Sequence, residues 1–221
     1  MGSPSFASGD TVSPKFTGGS LDKARLDTLV DAVYAIALTL LVLDLKLPDG
    51  LRTFEVPDHL RDMLPKIAIY AIAFSTVALL WVCHHYYSTL VTGTDFTHVM
   101  LNLSPLLLVS LVPFTAAAMG AYHNSSWAVA TFTLNAAVIC FLYVLNWAHC
   151  RKRLVPESVD RRLLDTMSAN AWYSLAGEIL ATVLAFVIPV LGIAVAAVMV
   201  PAGFAAMARL EPRIMQAVKE R

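Results

Sequence analysis

An all-α membrane protein with six transmembrane helices is the fold class this sequence predicts, on three observations. Hydrophobic residues make up 57% of the 221 and charged residues only 14%, whereas soluble domains are about half apolar and about a quarter charged. Six apolar stretches fall within the spanning range of about 17–25 residues, which at about 1.5 Å per residue covers a hydrocarbon core of about 30 Å. Lys and Arg gather at every second connection, as the excess of basic residues on the cytoplasmic side requires.

Residues 1–20 are rich in Gly, Ser and Pro, have no apolar core of their own, and are expected to form a disordered cytoplasmic tail and not a signal peptide. A six-helix domain is expected over residues 21–208. Its first apolar segment runs from Leu26 to Leu47, until Asp49-Gly50 breaks it. Residues 49–66 mix both charge signs with Pro57 and Pro65, as a short polar loop with a surface helix does. The second segment, Ile67 to Leu90, has no Asp, Glu, Lys or Arg but carries Trp81, His84 and His85 toward its end.

The third segment, Val99 to Met119, contains Pro105 and Pro113, which membrane helices tolerate when neighbours satisfy the freed carbonyls. The fourth, Trp127 to Ala148, has Trp127 and Trp147 near its ends, where amphipathic rings meet the lipid-water boundary. Residues 149–166 form the most basic connection. Segments five (Ala171 to Ile188) and six (Val190 to Met207) flank Pro189, and residues 209–221 are expected as a charged cytoplasmic tail.

Orientation follows from the basic residues. Lys15, Lys23 and Arg25, then Arg151, Lys152, Arg153, Arg161 and Arg162, then Arg209, Arg213, Lys219 and Arg221 fall on one side of six spans, the cytoplasm. The 49–66 loop dissents with Arg52, Arg61 and Lys66, but Asp49, Glu55, Asp58 and Asp62 lie among them. Lys plus Arg equal Asp plus Glu at 16 each, and no nucleic-acid motif occurs, so that partner class is set aside. Cys83, Cys140 and Cys150 are odd in number and lack ligand spacing, which argues against disulfides and zinc.

Nucleotide-binding, metalloprotease, hydrolase and TVGYG filter signatures are all absent, and no cofactor site is recognised. His84 and His85 point about 100° apart on a helix and do not easily share one metal ion. Ionisable groups within a span are more informative, each costing on the order of 2.5–3.5 kcal/mol on the lenient insertion scale. Asp31 is then either an ion or proton ligand, or a buried acceptor for Arg25 or a histidine of segment two. Glu178 in segment five poses the same choice without an obvious partner, while Asp44 and Lys46 can snorkel to the interface. Leu29, Ile36 and Leu43 lie nearly in line at heptad spacing with Thr39 and Leu40 on either side, a pattern shared by packing seams and pore faces.

The stretch Arg25-Leu-Asp-Thr-Leu29-Val30-Asp31, followed by AVYAIALTLLVLDLKLP, resembles the signature of the transmembrane protein 175 family of potassium channels. That family's first helix opens with Arg, three residues, then Phe-Ser-Asp. Arg25 and Asp31 match in register, with Leu29 and Val30 at the Phe and Ser positions. Trp81, His84 and His85 resemble the Trp-His pattern near the end of its second helix.

The resemblance implies a bacterial inner-membrane homotetramer of single six-helix chains, with K+ as the permeant ion and no enzymatic activity. It implies first helices lining a central pore without a re-entrant filter loop. It implies a hydrophobic gate at Ile36 with Leu40 and Leu43 as further rings, and Thr39 favouring potassium. Arg25, Asp31, Trp81, His84 and His85 are then a structural clamp. Two rival classes are a secondary transporter coupled through Asp31 or Glu178, and a membrane enzyme or scaffold, for which a catalytic constellation is lacking.

Overall fold

The computed structural model describes residues 22–220, so the tail expected over residues 1–20 lies outside the described residues. Among the described residues all regular structure is helical: α1 Lys23–Leu40 with a 3-10 turn Leu41–Asp44, α2 Val56–Asp62, α3 Leu64–Leu90, α4 Phe96–Ala121, α5 Ser126–Arg153, α6 Arg161–Val187 and α7 Pro189–Lys219. All but α2 are long and apolar enough to cross a membrane, which makes six spans as expected. The short α2 is the surface helix expected between Asp49 and Lys66.

Local chemistry sets the boundaries. Asp22, Asp95 and Asp160 cap α1, α4 and α6, their carboxylates accepting the N–H of Ala24, His98 and Arg162. Pro65 and Pro189 occupy the first turns of α3 and α7, where a missing N–H costs nothing. Pro189 also holds Ile188 extended, at φ −144° and ψ 109°, and so ends α6.

Three expected boundaries are corrected. The first segment does not stay α-helical to Leu47: α1 ends at Leu40 and its 3-10 turn at Asp44. Pro48 has no N–H to offer the Asp44 carbonyl, and Lys66 Nζ takes that carbonyl instead at 2.8 Å. The basic connection over 149–166 is mostly helix, with only residues 154–160 linking α5 to α6. Residues 209–219 continue α7, because Leu210 and Ile214, four apart and buried, seat the extra turns on the bundle. Hydropathy falls after Met207, whereas the helix continues as an amphipathic one.

The helix α5 lies between α4 and α6, α7 packs on α6 and α3, and α1 lies across α4 and α3. Burial follows this order: 61% of the apolar window of α5 is covered by the chain, but only 28% in α1 and in α7. Cross-links fix which ends share a side. Lys23 meets Ser88, the Thr92 N–H donates to the Leu154 carbonyl, Asp95 meets His149 and Arg213 meets Asp160, which gathers the α1 start, the α3–α4 and α5–α6 links and the α7 end.

Candidate functional site

The helix α1 has two faces. Leu26, Val30, Tyr34, Ala37 and Leu41 recur every three or four residues and are buried against the bundle. Leu29, Ile36, Leu40 and Leu43 lie on the other side and are uncovered, Ile36 at 58%. At about 100° per residue Arg25 and Thr39 flank the same side, and both are exposed. The Thr39 hydroxyl donates back to the Ile36 carbonyl at 2.8 Å, which turns its oxygen lone pairs outward from the helix backbone.

Three sets of polar contacts hold α1 in this orientation. At its start Lys23 Nζ donates to Asp27 at 2.6 Å and to Ser88 Oγ at 2.8 Å, and Ser88 donates to the other Asp27 oxygen at 2.8 Å. In its middle the buried hydroxyls of Tyr34 and Tyr143 hydrogen-bond to each other, joining α1 to α5. At its far end Lys66 Nζ lies 2.9 Å from the Asp44 carboxylate. Asp44 is therefore paired to the start of α3. The uncovered face is thus presented by a helix anchored along its length.

The five residues grouped as a clamp divide. Trp81 Nε1 donates to Asp31 at 2.8 Å, and His85 stacks on the Trp81 ring at 5.5 Å with planes 26° apart. His84 turns inward instead, buried, with its ring 5.9 Å from that of Tyr143. Adjacent helical residues diverge by about 100°, so one histidine faces out while its neighbour faces the core. Among the described residues no trio of His, Cys, Asp or Glu is placed to hold a metal ion.

Asp31 is exposed within the chain and bonded to Trp81, which corrects the expectation of a buried acceptor for Arg25 or a histidine. The reason is helical geometry: six residues turn the helix by about 600°, so Arg25 and Asp31 point about 120° apart. Glu178 is buried, 7% exposed, and its Oε2 has no hydrogen-bond partner.

Lys23, Asp27, Ser88, Tyr34 and Tyr143 were not among the site residues read from the sequence, Lys23 having been noted only for orientation. A Lys-Asp pair four apart is legible as a helix pair, and a tyrosine inside an apolar helix demands a partner for its hydroxyl. Neither signal names the partner, since Ser88 and Tyr143 lie 65 and 109 residues away.

The chain is similar in sequence and in overall fold to known proteins. Residues 25–113, from the start of α1 into α4, match the family model described as endosomal/lysosomal potassium channel TMEM175. A potassium channel of Chamaesiphon minutus is 27% identical over 173 residues, covering 75% of this chain and 85% of that protein. A potassium channel of Streptomyces collinus is 30% identical over 132 residues, and the chain spans 64% of that protein, just under two thirds. The crystal structure of a lysosomal potassium-selective channel TMEM175 homologue from Chamaesiphon minutus superposes with a TM-score of 0.75 at 25% identity, covering 84% of this chain and 97% of that one. The matched segment opens at Arg25 and runs through all of α1 and α3, and the fold is shared almost end to end with the Chamaesiphon channel, so the chain is similar to the TMEM175 family in both its first helices and its architecture.

Proposed function

We propose that this chain is the subunit of a potassium-selective cation channel, a homotetramer in which four copies of α1 face a central pore with no re-entrant filter loop. The carrying observation is the uncovered side of α1, where Leu29, Ile36, Leu40 and Leu43 stand exposed beside Thr39 on a helix whose other side is buried. A hydroxyl and an arginine flanking that apolar stripe suit a partner copy and an aqueous axis better than lipid. The potassium-channel names of the Chamaesiphon and Streptomyces relatives supply the ion.

In this reading four Ile36 side chains close the pore by dewetting, with Leu40 and Leu43 as further apolar rings. The outward lone pairs of four Thr39 hydroxyls replace part of the water shell of a potassium ion. Arg25 and Asp31, which point apart within one chain, pair between neighbouring copies, so the clamp of Arg25, Asp31, Trp81, His84 and His85 is completed by assembly. Both ends of the spanning domain lie in the cytoplasm of a bacterial cell, because the basic residues at the end of α5, the start of α6 and the end of α7 collect there.

Substitution at the constriction tests the proposal. Ile36→Asn places polar groups where dewetting closes the pore, and it is expected to raise potassium flux from liposomes containing the purified protein. Unchanged flux from a normally assembled variant would remove Ile36 as the gate. A coupled transporter using Asp31 or Glu178 is told apart in the same assay by its slower turnover and its dependence on a proton gradient.

A further inference from the structure

Among the described residues, three buried side-chain atoms have no hydrogen-bond partner: Nε2 of His84, Nδ1 of His98 and Oε2 of Glu178. The three residues are 6%, 3% and 7% exposed, so bulk water does not satisfy these atoms. Each buried polar atom left without a partner costs about 1–3 kcal/mol. Three in one bundle call for a partner that the chain does not supply.

All three residues line two adjoining cavities. The first, of about 40 Å³, lies among α3, α5, α6 and α7 and is lined by Thr76, Cys83, Cys140, Ser174 and Glu178. The second, of about 20 Å³, is lined by His84, Ser88, His98, Asn102 and Asn146. Tyr87 and Tyr143 stand in the walls of both. At about 10–15 Å³ per molecule, these volumes hold about three waters and about one.

The chemistry of the lining selects the occupant. The Thr76 and Ser174 hydroxyls donate to the carbonyls of Ile72 and Asn170, which leaves their lone pairs to accept. Water both donates and accepts, and so serves an imidazole nitrogen, a carboxyl oxygen and these hydroxyls together. A metal ion lacks its ligands, since no trio of His, Cys, Asp or Glu is gathered here. A desolvated monovalent cation would find one carboxyl group and walls that include Leu79, Leu80, Met199 and Val200.

We infer that each chain binds one internal cluster of ordered waters in these two cavities, hydrogen-bonded to His84, His98 and Glu178 and set apart from the uncovered face of α1. Ser88 marks its entrance: it lines the second cavity and bonds Lys23 and Asp27, which are partly exposed at the end of the bundle. The cluster also wets Tyr143, which carries the hydrogen bond to Tyr34 on α1. The inference does not depend on α1 lining a pore.

A structure of the assembled protein in rubidium salt, at a resolution that shows waters, tests it directly. Water density is expected within hydrogen-bond distance of His84 Nε2, His98 Nδ1 and Glu178 Oε2, with no anomalous rubidium peak. Empty cavities, an acyl chain or a rubidium ion there would overturn it. Glu178→Leu is expected to lose the waters nearest that position and keep the one between His84 and His98; density retained beside the leucine counts against the assignment. Should that variant not fold, a solution measurement on the wild-type protein decides independently. Cys83, Cys140 and Cys150 line the same cavities, so their S–H infrared bands are expected to convert to S–D in heavy water. Thiol bands that persist through prolonged exchange show dry cavities and refute the inference.

Discussion

Replacing Tyr34 with phenylalanine deletes one of the two hydroxyls that tie α1 to α5 while changing the packed volume very little. Tyr34 is 1% exposed and Tyr143 6%, so the variant leaves the Tyr143 hydroxyl in the core without its partner. Such an orphaned group costs about 1–3 kcal/mol. Because Tyr143 also borders both cavities, a water within reach holds the cost to the lower half of that range, about 1–1.5 kcal/mol. For a domain of this size that corresponds to a fall in Tm of about 2–6 °C. Tyr143→Phe is expected to behave alike, and the double variant, which removes both polar groups, to lose less than the sum of the two. The assay is thermal unfolding of the protein in lipid nanodiscs, followed by tryptophan fluorescence and arranged as a double-mutant cycle. A coupling of about 0.5 kcal/mol or more supports the bond. Strictly additive losses would refute it, and with it this anchor of α1.

Thr39→Ala leaves the fold intact, because the hydroxyl bonds only its own helix at Ile36. It is expected to lower the preference for potassium over sodium; an unaltered bi-ionic reversal potential would exclude a role in discrimination. Asp95 caps α4, and the His98 backbone N–H at 2.7 Å, helped by His149 at 2.8 Å, holds its carboxyl below the ordinary value of 3.8. Its contribution to stability is therefore complete above 3.8 and is lost as pH falls through the lowered folded value. Asp95→Asn is expected to keep the cap but flatten the acid side of a Tm-against-pH curve, while Asp95→Ala costs about 1 kcal/mol more in lost capping. Gly192→Ala puts a methyl 2.8 Å from the Ala181 carbonyl oxygen and 2.8 Å from the Ala185 Cβ. It forces α7 away from α6 and is expected to destabilise by about 1–3 kcal/mol, read as a lower Tm; an unchanged Tm would show that the two helices separate freely.

The amino-acid sequence by itself determined the class and the number of spans. These are one-dimensional properties: hydropathy over about 20 residues decides membrane insertion, whereas which apolar side of α1 meets the bundle, Val30, Tyr34 and Ala37 and not Leu29, Ile36 and Leu43, is decided by packing. The Arg25-to-Asp31 spacing carried the resemblance to the TMEM175 family. Helix ends were less legible, because residues 149–153 and 209–219 are polar enough to leave the apolar window yet still helical. Partners were not legible at all. That Asp31 bonds Trp81 and not Arg25, that Asp44 is held by Lys66, and that His84 faces the core while His85 faces out depend on how α1, α3 and α5 are rotated against one another. Only packing fixes those rotations. A sequence states which groups need a partner, and the tertiary structure decides which partner lies within about 3 Å.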